Sequence, residues 1–166
     1  GAASYQFERR KVGTTAATET IRTPALGWAP YAPITDGVWE WRVSSLDPKG
    51  KVLGSSPWQR FKVDSGPPTV VDKSPTGTGV SATANFVVTF SEPVTGLNSS
   101  TFTIKVAGTS TKLLAKVTMN ATRTKATLNP VANLKSKKRY TLKVTNAVHD
   151  QASNPLKTTQ WTVTVK

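Results

Sequence analysis

The densest run of one charge in the chain is Lys135, Ser136, Lys137, Lys138 and Arg139. It follows Asn129-Pro130 and precedes an apolar alternation, which puts it on a loop. Cations this close together attract a phosphate or sulfate polymer. Nucleic-acid readout also asks for stacking aromatics beside the charge, and only Tyr140 qualifies, so no specific nucleic-acid partner is expected. A second surface chemistry belongs to Trp28 and Tyr31, in the proline-spaced stretch Gly27-Trp28-Ala29-Pro30-Tyr31-Ala32-Pro33. Aromatic faces of this kind stack on a glycan, and they equally pack inward when such a loop folds over a sheet edge.

Catalytic chemistry finds less to work with. His149 is the only histidine, and no serine sits in a Gly-x-Ser-x-Gly elbow. His149 and Asp150 are neighbours, and neighbours on a strand point to opposite faces, so they do not make a dyad there. Asp36, Asp47, Asp64 and Asp150 fall at turns, where aspartate usually bonds nearby backbone rather than pairing for acid–base work. Calcium needs six to eight oxygens, several of them carboxylates. Asp64 and Asp72 flank a linker, and Asp150 and Asn154 share a loop, a thin set for a chain of net charge +13. With no cysteine there is no disulfide, thiolate zinc site or thiol nucleophile. The expectation is a non-enzyme with no cofactor and no catalytic or metal site.

The charge is unevenly placed. Residues 1–66 carry nine Lys/Arg against six Asp/Glu, and residues 67–166 carry thirteen against three. A field of that size draws polyanions, although lysines on solvent-facing strand positions also serve solubility and edge protection. Asn98-Ser99-Ser100 and Asn120-Ala121-Thr122 fit the glycosylation sequon, a pattern that arises by chance in Thr-rich chains.

The elements that hold these residues read as strands. Trp39, Trp41, Val43 and Ser45 alternate with Glu40, Arg42 and Ser44, which gives one buried face. Asp47-Pro48-Lys49-Gly50 has turn chemistry, and a second strand runs over 58–63. At 64–70, Asp-Ser-Gly-Pro-Pro-Thr-Val blocks both helix and central strand and marks a stiff boundary. Beyond it, strands are expected over 69–74, 84–90, 102–106, 112–120, 125–129, around Tyr140, Leu142 and Val144, and around Trp161, Val163 and Val165. About seven strands in about 100 residues is the rhythm of a β-sandwich. No apolar run approaches the ~18 residues of a membrane span, and no signal peptide is recognisable.

Residues 67–166 resemble a bacterial Ig-like domain. The resemblance is carried by Pro68-Thr69-Val70-Val71, by Val88-Thr89-Phe90-Ser91-Glu92-Pro93-Val94 and by Tyr140-Thr141-Leu142-Lys143-Val144. It extends to residues 148–156, where Ser153 stands at a position the family commonly gives to glycine. Residues 34–43, 47–50 and 55–64 are similar to the last strands of a fibronectin type III domain, and 5–12 to a middle strand. The resemblance implies an all-β chain of two tandem Ig-like and fibronectin type III-like β-sandwiches, 1–66 and 67–166, the first lacking its first two strands. A domain of that kind takes about seven strands. The first half therefore calls for a strand-completing partner segment or a second copy, unless residues 13–33 supply the strands. The implied function is a non-catalytic spacer of a larger secreted or cell-surface bacterial protein with an adhesive role. The rivals are a module binding anionic cell-wall polymer or glycan, and an accessory domain of a secreted carbohydrate-active enzyme or protease.

Overall fold

The computed structural model describes residues 1–27, 29–30 and 32–166. They form two compact units, Gly1–Ser65 and Gly66–Lys166. No helix among them is long and apolar enough to cross a membrane.

The first unit is one five-stranded antiparallel sheet. It holds β1 (Ser4–Lys11), β2 (Glu19–Thr23), β3 (Gly37–Leu46), β4 (Val52–Ser55) and β5 (Gln59–Val63). The order is β2-β1-β3-β4, with β5 also pairing to β3. Among the described residues no second sheet faces it. The tip between β3 and β4 is built by Asp47, whose Oδ1 accepts the amides of Lys49 and Lys51, both at 2.8 Å, while Gly50 takes φ +82°. The expected second strand over 58–63 is β5, and a further strand, β4, precedes it; both pair with β3.

Register gathers Phe7, Ile21, Val43, Trp39 and Phe61 on one face. Sequence alternation makes that face uniformly buried, and the structure differs. Trp39 is 6 % exposed and its indole N–H donates to the Thr35 carbonyl at 2.8 Å, so the segment before β3 covers it. Trp41 is 40 % exposed, and a groove of about 340 Å³ opens beside it between Phe7, Ile34 and Phe61. On the opposite face Glu40 and Ser44 are buried: Arg10 bonds Glu40 and stacks on Trp58, and the Ser44 hydroxyl lies 2.7 Å from that of Ser55.

The second unit is a closed sandwich. One sheet runs β10-β11-β8-β6, from β10 (Ala115–Met119), β11 (Lys125–Pro130), β8 (Phe86–Phe90) and β6 (Val70–Ser74). The other runs β7-β13-β12-β9, from β7 (Gly77–Val80), β13 (Thr159–Val165), β12 (Arg139–Val144) and β9 (Phe102–Val106). Phe86, Val88 and Leu128 face Phe102, Ile104, Leu142 and Val163, all at or near zero exposure. Strict alternation supplies each inward set. The eighth strand, β7, was not expected. Gly77-Thr78-Gly79 has no alternation to reveal it, and it joins the sheet by parallel pairing to β13.

Candidate functional site

The positive residues of the two units live in different electrostatic settings. In the first unit Arg9, Arg10, Arg42 and Arg60 are paired internally with carboxylates. Arg10 Nε donates to Glu40 Oε1 at 2.8 Å, and Arg42 Nε donates to Glu8 Oε2 at 2.7 Å. Both guanidinium groups reach the Trp58 ring, at 4.2 and 4.7 Å from its centroid. Arg60 adds a longer contact to Glu40 at 3.5 Å. Across the other face Arg9 pairs with Glu19 at 2.6 Å and lies 5.5 Å from the Trp39 centroid. The Arg42 hydrogen bond holds the Glu8 carboxyl below its usual range against the opposing effect of burial, and Arg10 does the same for Glu40. Arg42 is raised in return, chiefly by its bond to Glu8.

In the second unit the run 135–139 divides. Lys135, Lys137 and Lys138 occupy a turn closed by the Lys138 amide donating to the Lys135 carbonyl at 3.3 Å. The turn is pinned to the end of β13, where the Lys137 amide donates to the Val165 carbonyl at 3.1 Å. Lys135 and Lys138 stand on the rim of a groove of about 450 Å³ floored by Val106, Leu113 and Tyr140. The Tyr140 hydroxyl is held there by the Lys135 amide, which donates to it at 2.9 Å. Arg139 is the first residue of β12 and turns to the outer face of the sheet, away from the groove floor.

That outer face holds basic residues that sequence reasoning missed. Thr141 lies directly opposite Lys105 on β9 and Thr162 on β13, and Lys105 is bridged in turn to Lys112. Two residues along β12 in either direction, Arg139 and Lys143 point the same way. The one available signal was the alternation of Lys105 and Lys143 with the apolar residues beside them. Which strands lie side by side, however, is not written in either strand alone.

Trp28 and Tyr31 lie outside the described residues. The His149 ring is built into a loop: Nδ1 donates to the Asp150 carbonyl at 2.9 Å and lies 3.0 Å from Thr95 Oγ1. Asp150 is buried and accepts both the Asn154 amide and its side-chain Nδ2 at 2.8 Å. Asp36 accepts the Ser65 amide at 3.0 Å, and Asp72 sits on β6 opposite Thr89. Of the sequon asparagines, Asn98 accepts the Ser100 amide at 2.8 Å and Asn120 those of Thr124 and Lys125 at 2.9 Å.

Comparison with known proteins places the second unit. The model of the bacterial Ig-like domain family matches residues 64–165. No curated protein matches the chain. Among solved structures, one of the S-layer protein SbsC is 26 % identical at a TM-score of 0.46, covering 58 % of this chain and 13 % of that one. The N-terminal part of the bacterial S-layer protein SbsC is 25 % identical at 0.47, covering 60 % and 23 %. The FN1-FN3 domains of chicken CNTN1 align over the whole chain and 58 % of theirs, at 13 % identity and 0.33. This chain thus spans only a small part of the S-layer chains it resembles. The family model extends over more than half of the sequence and over all eight strands of the closed sandwich, and the chain belongs to the bacterial Ig-like domain family.

Proposed function

We propose that this chain is a non-catalytic spacer segment of a larger secreted or cell-surface bacterial protein, holding neighbouring domains at a fixed separation. The observation that carries the reading is where the backbone enters and leaves the sandwich. The Gly66 carbonyl accepts a bond from Asn154 Nδ2 at 3.5 Å, so entry lies beside the connection that precedes β13. The exit at Val165 is tied to the turn at 135–138, which precedes β12. β12 and β13 are antiparallel, so these landmarks mark opposite ends of the sheet. The seven residues of β13 alone separate them by about 20 Å. A module whose entry and exit are at opposite ends links in series, and a packed core between them resists extension. Membership in the bacterial Ig-like family supports the secreted or surface setting.

The absence of cysteine makes the test direct, since introduced cysteines are the only ones. Spin labels on Gln151→Cys and Ser136→Cys should give one narrow distance distribution at roughly 20–30 Å, unchanged by added glycans or salt. A broad distribution, or one that shifts with a ligand, overturns the rigid-spacer reading.

A further inference from the structure

We propose that the outer face of the β7-β13-β12-β9 sheet binds a linear anionic glycopolymer, a chain with a phosphate or sulfate on each repeat and hydroxyls between. This goes beyond the spacer reading and does not depend on it. Four cations, Lys105, Lys112, Arg139 and Lys143, share this face by register. Lys105 and Lys112 are a directly opposed cross-strand pair of like charge, an arrangement that costs stability unless an anion joins them. Arg139 and Lys143 flank Thr141, the residue directly opposite Lys105, so each lies on its diagonal, roughly 7 Å away.

No carboxylate relieves the crowding. The remaining outward positions open to solvent are Thr141, Gln160, Thr162 and Thr164, while Thr103 is buried. Among the described residues none of the four cations forms an ion pair. Edge protection explains lysines on β9, which borders the sheet, but not Arg139 and Lys143 on β12, which has a neighbour on each side. The outer face of the other sheet differs, because Lys125 there shares a row with Thr89 and Asp72.

The chemistry of the face selects among polyanions. Arg139 and Lys143 lie about 13 Å apart along β12, and Lys105 stands across the strand about 7 Å from each, so the three cations match oxyanions repeated along an extended chain. The threonine hydroxyls and the Gln160 amide offer hydrogen bonds to the hydroxyls of a sugar or polyol. No aromatic side chain points outward from β9, β12 or β13, so bases have no stacking platform.

The test uses the full chain, a labelled glycerol-phosphate polymer and a dextran sulfate oligomer, with neutral dextran and oligo(dT) as comparisons. The face variant K105Q/R139Q/K143Q is set against K116Q/K125Q/K157Q, which loses the same charge elsewhere. Saturable binding to one or both anionic polymers is expected, and which of them binds more tightly identifies phosphate or sulfate as the preferred anion. The face variant should weaken it by at least about 10-fold and lower the slope of log K against log salt by about 2. The control variant should weaken it by no more than about 2-fold. The charge-conserving K105R/R139K/K143R should keep wild-type binding, which separates lost charge from a damaged fold. Equal weakening by the two charge-removal variants would reduce the effect to net charge and overturn the proposal. Failure of the wild type to saturate, or tighter binding to oligo(dT), would overturn it as well.

Discussion

Ser153 holds φ at +72°, in the left-handed region that favours glycine. Its amide donates to the Asp150 carbonyl at 3.4 Å, and Asn154 then closes the loop onto both carboxylate oxygens of Asp150. The loop is over-determined by these bonds, so the backbone tolerates a side chain where the family pattern commonly has glycine. A non-glycine residue there costs about 1–2 kcal/mol, and glycine would return part of that as unfolded-chain entropy. Ser153→Gly is therefore expected to stabilise the second unit by about 0.5–1 kcal/mol, read from the urea midpoint at unchanged slope. Ser153→Val should destabilise it, because a β-branched side chain is a poorer fit in this region. A Ser153→Gly variant no more stable than the wild type would show that the loop, not the residue, sets the angle at no cost. The departure was visible in the sequence as a mismatch with the family pattern. Its conformational meaning was not, because the partners that impose it are the Asp150 and Asn154 side chains folded against each other.

At the scale of strands, what was legible depended on how many sides of an element are packed. β8, β12 and β13 each have one face in the closed core, and the alternation of Phe86, Val88 and Phe90, or of Tyr140, Leu142 and Val144, names the inward set correctly. The same rule misleads on β3, where Trp41 alternates with Trp39 and yet stays 40 % exposed. Burial there depends on what lies over the sheet, and the segment holding Ile34 and Thr35 covers Trp39 without closing over Trp41. The polar face of that sheet, set opposite the buried one by alternation, is a layered stack of Arg10, Arg42, Glu8, Glu40 and Trp58. Trp58, expected to open the second strand, lies instead in the irregular step just before β5. Two cation–π contacts at 4.2 and 4.7 Å converge on its ring. Trp58→Ala should cost the first unit about 1–3 kcal/mol in denaturant unfolding, with Trp58→Phe recovering roughly half. A loss below about 0.3 kcal/mol would assign the stack to its ion pairs alone.

For the whole molecule, the two units spend their charge differently, and pH separates them. Residues 1–65 hold six of the nine carboxylates, and Glu8 and Glu40 are the ones held below their ordinary range, by Arg42 and Arg10 respectively. A carboxyl lower in the folded than in the unfolded chain stabilises the fold above its unfolded value, here near 4.5. That stabilisation is lost as pH falls from there through the depressed folded value. Glu8→Gln/Glu40→Gln should therefore be less stable than the wild type at pH 7, and the gap should close steadily below about pH 4.5. Amide exchange locates the effect. Protection of β1 and β3 should follow pH in the wild type and lose that dependence in the double variant, while β8, β12 and β13 respond alike in both proteins. The assignment to local pairs predicts this separation, since Arg10, Arg42 and Arg60, which pair with Glu8 and Glu40, all lie in the first unit. A double variant with the wild-type acid profile in β1 and β3 would show that the arginine–tryptophan stack holds the sheet without its carboxylates. A matching shift in β12 would instead trace acid sensitivity to net charge across the chain.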